Sequence, residues 1–221
     1  SYRTADPAWR EAMTAAIGQG RRARGSVVVF AAGNGGPSED SNRDAYANHP
    51  GVLAVGAVDH RGRPSAYAEP GANVLVSAPS MSLLRRSNGV ADIWTTDISG
   101  PRGLAAGNRP ENADYTAFAG GSSASAPMVS GVVALMLEAN PGLSWRDVRW
   151  LLARTARPAD LGLTRADPSA MNAHGFHPLV GFGRVHAGDA VQAAKNFSNL
   201  PPERSCDSGV QWIDQPIGDA P

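Results

Sequence analysis

Two short runs of apolar residues place the strongest constraint on how this chain can fold. Residues 26–32 read SVVVFAA and residues 52–58 read VLAVGAV. Continuous β-branched runs of this length are typical of strands that are buried on both faces of a parallel sheet. Residues 74–79, VLVSAP, are predicted as a shorter third strand that ends at proline, and residues 93–96 as half of a hairpin.

Helical segments alternate with these strands. Asp6 and Pro7 form a start signal for a first helix, which is expected to end within residues 18–25. Residues 144–147, SWRD, resemble a capping box that opens another helix, and residues 187–197 form the last one. The alternation predicts an α/β protein whose mainly parallel sheet is sandwiched by helices. Such folds place their sites at the carboxyl ends of the strands.

A segment of small residues, AGGSSASAPMVSG, runs from Ala119 to Gly131 and precedes six apolar residues. The glycine pair favours a turn and the proline favours a helix start, so Ser123 is predicted at the N-terminus of a buried helix. First-turn N–H groups are unpaired and carry partial positive charge, so an oxyanion formed beside Ser123 would be stabilised. A serine that only caps a helix would show the same local pattern.

Asn34 follows the first apolar run in the motif AAGNG. An amide at this strand end could donate a hydrogen bond to an oxyanion, although a glycine-flanked asparagine also accepts a left-handed backbone conformation. The presence of the serine segment in the same chain favours the catalytic interpretation. The nucleophile elbow G-x-S-x-G of α/β-hydrolases is absent, because position 125 is serine.

Composition excludes several other classes of protein. The 20 basic and 20 acidic residues balance, so no net charge attracts nucleic acid or an anionic membrane. The sequence contains no run of about 18 apolar residues that would predict a membrane span. Cys206 is the only cysteine, which excludes an internal disulfide and a cysteine-based zinc site.

The serine and asparagine motifs together resemble the subtilase family of serine proteases. In that family the nucleophile lies in G-T-S-x-S/A-A-P and the oxyanion asparagine lies in A-x-G-N. Ser123 matches the nucleophile and Asn34 the oxyanion residue, while Ser122 replaces the usual threonine. The segments LEANP, WRD and GFG resemble the kexin and furin branch. The resemblance implies the C-terminal part of a subtilisin-like peptidase domain over residues 1–197, with a tail or linker over residues 198–221.

Kexin-like enzymes cut after basic residues, which they bind in a carboxylate-lined pocket beside a calcium ion. The resemblance therefore implies Asp40 and Glu69 as calcium ligands and Asp44 as a wall of the substrate pocket. It also implies Asp6 as a residue that both binds calcium and contacts the substrate arginine. Carboxylate oxygens suit a guanidinium as well as calcium. Acidic residues that merely solvate a loop would give the same composition.

The family's catalytic aspartate and histidine motifs are not found in this sequence. His49 and His60 precede Ser123, but their surroundings do not resemble the histidine motif. The resemblance implies that the base and its partner lie on a preceding segment, the N-terminal portion of the fold, in a nicked or split protease with a companion chain.

The expected function is a secreted or extracytoplasmic, bacterial serine endopeptidase that forms an acyl-enzyme and cuts after Arg or Lys-Arg. Its candidate partners are a substrate with basic residues, the companion chain, and a propeptide or inhibitor. The alternative is a noncatalytic subtilase-like scaffold that binds peptides or a partner protein.

Overall fold

The computed structural model describes residues 4–81, 93–103, 114–159 and 174–203. Three strands form its main sheet in the order β1-β2-β3, and their bounds are Val28–Ala31 (β1), Val52–Val58 (β2) and Val74–Pro79 (β3). Both pairings are parallel, with Val28 opposite Val52 and Ala57 opposite Ala78. Every residue of β2 is buried, because the strand lies between two others and under helices. The predicted α/β fold with a parallel sheet is confirmed.

Within the described ranges, four α-helices accompany the sheet: Pro7–Ala23 (α1), Ser122–Ala139 (α2), Trp145–Thr155 (α3) and Ala187–Lys195 (α4). The backbone of α1 stops being helical at Gly20. This position lies within residues 18–25, where the sequence predicted the end of the helix. The predicted capping box of α3 is present, since Ser144 and Asp147 each accept a hydrogen bond from the other's backbone N–H.

A second, two-stranded sheet lies directly before α2. Its strands, Ile93–Thr96 (β4) and Tyr115–Ala119 (β5), pair antiparallel, which confirms the predicted hairpin half. The sequence from Ser99 to Asp114, rich in glycine, proline and asparagine, predicts a loop, and residues 104–113 of it lie outside the described residues. The strand β5 leads into α2 through Gly120 and Gly121, so the serine segment begins where this hairpin ends.

The helix α2 is the centre of the core. It packs against β1, β2, β3 and α4. Its buried apolar residues are Val129, Val132, Val133 and Met136. By length and composition alone α2 could cross a membrane. Its contacts with all three strands of the main sheet identify it as the core helix of a globular fold, and they fix where its N-terminus lies.

Residues after α4 return to the start of α3. Asp147 is fully buried, and its carboxylate accepts hydrogen bonds from the N–H of Leu200 at 2.8 Å and from Nδ2 of Asn199 at 3.0 Å. Arg146 donates to the carbonyl oxygen of Pro201 at 2.8 Å. The first residues of the predicted tail are therefore held against α3 by a buried carboxylate.

Candidate active site

Ser123 lies in the first turn of α2, at the carboxyl end of the main sheet. Gly121 precedes the helix with φ 75°, a left-handed conformation that favours glycine. Ser125 fixes the first turn against the end of β3, because its Oγ donates to the carbonyl oxygen of Ala78 at 3.0 Å. The side chain of Ser123 is exposed. The structure thus presents an accessible hydroxyl at the positive end of the core helix.

Asn34 follows β1 and contacts the first residue of α2. Its Oδ1 accepts a hydrogen bond from the N–H of Ser122 at 2.8 Å, and the Oγ of Ser122 lies 2.9 Å from the same oxygen. A backbone N–H only donates, so the atom that faces it must be the amide oxygen. The Nδ2 lies 3.0 Å from the position that a Cβ at Gly121 would occupy. Asn34 is exposed, so Nδ2 is free to donate to a ligand.

Ser122 connects this amide to the strand end. It is fully buried, and its Oγ accepts a hydrogen bond from the N–H of Gly33 at 3.2 Å. Gly33 and Asn34 are therefore both attached to the residue immediately before Ser123. The Ser122 hydroxyl thus lies inside the protein, where it joins β1 to α2.

On its other side the turn of Asn34 contacts the loop of residues 66–69. The N–H of Gly35 donates to Oε1 of Glu69 at 2.6 Å, and the N–H of Gly36 donates to the carbonyl oxygen of Tyr67 at 3.0 Å. Gly33 has φ 122°, and a Cβ there would overlap the carboxyl group of Glu69. The backbone conformation at position 33 favours glycine, and a Cβ there would displace the carboxyl group of Glu69.

An acidic pocket of about 330 Å³ lies beside this turn. Its lining residues are Ala31, Ala32, Gly33, Glu39, Asp40, Arg43, Asp44 and Glu69. Three of the four acidic residues that the sequence predicted for substrate or calcium binding, Asp40, Asp44 and Glu69, therefore lie around one cavity. The end of β1 forms its floor, so the cavity is adjacent to Asn34.

Local hydrogen bonds orient the two aspartates of the pocket. Oδ1 of Asp40 accepts from the N–H of Asn42 at 2.9 Å, and Oδ1 of Asp44 accepts from the N–H of Tyr46 at 2.8 Å. Across the described part of the chain, no donor contacts the second oxygen of either carboxylate. Each aspartate therefore has one oxygen that could contact a cation.

Asp6 lies apart from this pocket. It is the exposed N-cap of α1, where its Oδ1 accepts from the N–H of Ala8 at 2.8 Å. Its own N–H donates to the hydroxyl of Tyr46 at 3.3 Å, two residues after Asp44. Asp6 itself does not line the pocket. The structure therefore brings Asp40, Asp44 and Glu69 together and does not include Asp6.

The donor chemistry of the pocket suits calcium, which prefers carboxylate oxygens. However, among the residues that the structure describes, no three acidic or histidine side chains converge closely enough to hold one ion. The pocket thus has the right ligand types, and its carboxylates do not define a coordination geometry.

Sequence reasoning missed two charged residues of the pocket, Glu39 and Arg43. Each directly precedes a predicted site residue, Asp40 or Asp44, and this adjacency was the only signal available. Arg43 brings a positive charge to a cavity that is otherwise acidic. The lining of the pocket therefore carries four carboxylates and one guanidinium.

No histidine in the described ranges hydrogen-bonds to Ser123. Nδ1 of His49 accepts from the N–H of Gly51 at 3.0 Å, and its ring packs edge-on against Trp9. His186 caps α4. These histidines have structural contacts of their own.

The fold and the site define an α/β protein in which a serine at the N-terminus of the core helix lies beside an asparagine from a parallel strand end. The chain belongs to the subtilase family, whose family model matches residues 1–183. The family that the serine and asparagine motifs indicated is confirmed.

Its relatives include members of the branch that the sequence resembles. A calcium-dependent protease of Trichormus variabilis is 37% identical over 215 residues, which are 95% of this chain and 30% of that protein. Kexin of Candida albicans is 33% identical over 96% of this chain and 21% of its own length. The crystal structure of a serine protease of Aeromonas sobria superposes with a TM-score of 0.76 at 27% identity, over 91% of this chain and 42% of that one. This chain thus spans less than half of each relative.

The contact between Gly33 and Glu69 predicts a position-specific cost of adding one methyl group. Gly33→Ala should lower the free energy of unfolding by roughly 2 kcal/mol, because it combines a strained φ with a steric overlap. Gly131→Ala is the matched control, since nothing lies within 4 Å of a Cβ at this exposed position in α2. That control should stabilise the protein by about 0.5–1 kcal/mol. Urea denaturation of both variants measures the difference, and equal effects would contradict a position-specific cost at Gly33.

Proposed function

We propose that this chain supplies the nucleophile and the oxyanion site of a serine endopeptidase. The observation that carries the proposal is the orientation of the Asn34 amide. Its oxygen is held by the N–H of Ser122 at 2.8 Å, which leaves Nδ2 as a free donor beside the exposed Ser123. A preorganised donor of this kind stabilises the charge that develops during amide hydrolysis.

In the proposed reaction, Oγ of Ser123 attacks the carbonyl carbon of the scissile peptide bond while a general base accepts its proton. The carbonyl oxygen becomes an oxyanion, which accepts hydrogen bonds from Nδ2 of Asn34 and from the first-turn N–H of Ser123. Return of the proton to the leaving nitrogen breaks the C–N bond and leaves an acyl group on Ser123. Water then attacks this ester, releases the acid and restores the hydroxyl.

The base and the residue that orients it are proposed to lie on a preceding segment or companion chain. Two features support this assignment. Ser123 is exposed, and β1, at the edge of the described sheet, is only half-buried although all four of its residues are apolar. An additional strand beside β1 would cover this edge and bring its own carboxyl end close to Ser123.

We propose that the acidic pocket determines substrate choice. Asp44 lines the same cavity as Gly33, one residue from Asn34, so a side chain next to the scissile bond could reach it. A guanidinium pairs with carboxylates in a fixed planar geometry, which favours arginine in this pocket. Calcium is proposed as the resident cation, with Asp40 and Glu69 as ligands, and its charge would offset the mutual repulsion of the carboxylates. An extracytoplasmic location belongs to the same proposal.

A noncatalytic peptide-binding scaffold is the second candidate. It is favoured by one observation, that Ser123 lacks a hydrogen-bonded base within the described residues. The two candidates differ in the reactivity of this hydroxyl.

A fluorophosphonate probe tests the nucleophile. The assembled enzyme should be labelled on Ser123, and Ser123→Ala should abolish labelling and hydrolysis. Ser130→Ala is the control, because Ser130 is an exposed serine of the same helix. An unlabelled wild-type protein would favour the scaffold.

Substitution of Asn34 tests the oxyanion donor. Asn34→Ala should lower kcat by about 100- to 1000-fold with little change in KM, because removal of one oxyanion donor weakens binding of the transition state alone.

Substitution of Asp44 tests the substrate pocket. Asp44→Asn should lower kcat/KM roughly 100-fold for peptides with arginine before the cleaved bond, because a buried guanidinium would lose its charged partner. Peptides with a neutral residue at that position should be cut at nearly the wild-type rate. Asp59→Asn, outside the pocket, should affect neither peptide. The same loss on both peptides would remove Asp44 from substrate selection.

Calcium binding is tested by thermal unfolding. Calcium at 100 times its Kd should stabilise the assembled enzyme by about 2.7 kcal/mol, because the ion binds only the folded state. Asp40→Asn should reduce the increase in Tm, whereas Glu11→Gln, an exposed position on α1, should leave it unchanged. A wild-type Tm that does not respond to calcium or to chelation would contradict the assignment.

A further inference from the structure

We propose that Glu69 is a positioning residue for Asn34, in addition to any contact that it makes with a cation. The inference rests on the proposed function for its kinetic consequence. Its structural basis is the turn of residues 33–36, which carries the oxyanion donor and reads GNGG.

This turn is flexible by composition. Glycine flanks Asn34 on both sides, and glycine has access to more backbone conformations than any other residue. The sequence of the turn therefore does not determine where the Asn34 amide points. An oxyanion donor must hold its orientation before the reaction begins, so the restraint has to come from neighbouring elements.

Two elements provide such a restraint from opposite sides. On the α2 side, Ser122 binds Oδ1 of Asn34 and the N–H of Gly33. On the opposite side, Oε1 of Glu69 accepts from the N–H of Gly35 at 2.6 Å. A hydrogen bond to an ionised acceptor is short and about twice as strong as a neutral one.

Glu69 also restrains the turn by packing. Its carboxyl group lies so close to Gly33 that a Cβ at that position would overlap it. One carboxylate therefore contacts the residues immediately before and after Asn34. The only other hydrogen bond from loop 66–69 to this turn joins the N–H of Gly36 to the carbonyl oxygen of Tyr67, two residues beyond Asn34. Loss of the Glu69 side chain would leave the Asn34 peptide units held only through Ser122.

A double-mutant cycle in the assembled enzyme tests this role. Glu69→Ala should lower kcat roughly 10- to 100-fold with a much smaller change in KM, because the donor is no longer held in place. The same substitution in an Asn34→Ala background should cause little further loss, since the donor is already absent. Glu69→Gln keeps an oxygen for the Gly35 N–H and should reduce kcat by about threefold at most.

The alternative role gives different results. If Glu69 acts only through a cation or the substrate pocket, Glu69→Gln and Glu69→Ala should reduce activity equally. Their effect should then be mainly on KM for arginine peptides, and it should add to that of Asn34→Ala. Additive losses of this kind would overturn the proposal.

Hydrogen–deuterium exchange provides a readout that does not depend on turnover. Glu69→Ala should accelerate exchange in a peptide covering residues 31–38, whereas Glu69→Gln should not, and residues 52–58 should exchange as in the wild type. Unchanged exchange in the Ala variant would overturn the positioning role. A wild-type protein that hydrolyses no peptide would instead refute the proposed function, while the exchange data would still decide whether Glu69 holds the turn.

Discussion

The hydrogen bonds between Ser122 and Asn34 are the interaction on which the candidate site depends. They join the end of β1 to the first residue of α2, and they fix which atom of the Asn34 amide remains free. Ser122 is fully buried, so water does not reach the Ser122 side of these bonds. The helix α2 positions Ser123, and Ser122 positions the neighbouring donor, the amide of Asn34.

The acidic pocket and the turn of residues 33–36 are in direct contact. Glu69 lines the cavity with Asp40 and Asp44, and the same carboxylate accepts the N–H of Gly35. The group proposed to bind a cation is therefore in contact with the turn that carries Asn34. In the proposed function, this arrangement places substrate selection next to oxyanion stabilisation.

The strongest sequence signals were those with a local physical cause. The apolar run of β2 predicted a strand buried on both faces, and Asp6 before Pro7 predicted the helix cap that the structure shows. Assignment of Asp6 to the pocket rested on resemblance alone, and it stays a prediction.

Contacts between distant parts of the chain could not be predicted from local patterns. The pairing of β5 with β4 was not predicted, because a long stretch of sequence separates them. The contact of Glu69 with Gly33 could not be predicted either, because no local sequence pattern indicates a contact between residues that lie 36 positions apart.

The long range of the Ser122–Asn34 contact has a consequence for how the molecule folds. The two residues are 88 positions apart, so their hydrogen bonds close a loop that contains β2 and β3. The entropy of closing such a loop must be overcome before the contact contributes, and chains dominated by distant contacts fold slowly. The local helices and turns can form early, whereas the arrangement of Asn34 beside Ser123 requires the docking of α2 on the completed sheet. We therefore expect the chemistry of the site to be acquired late in folding.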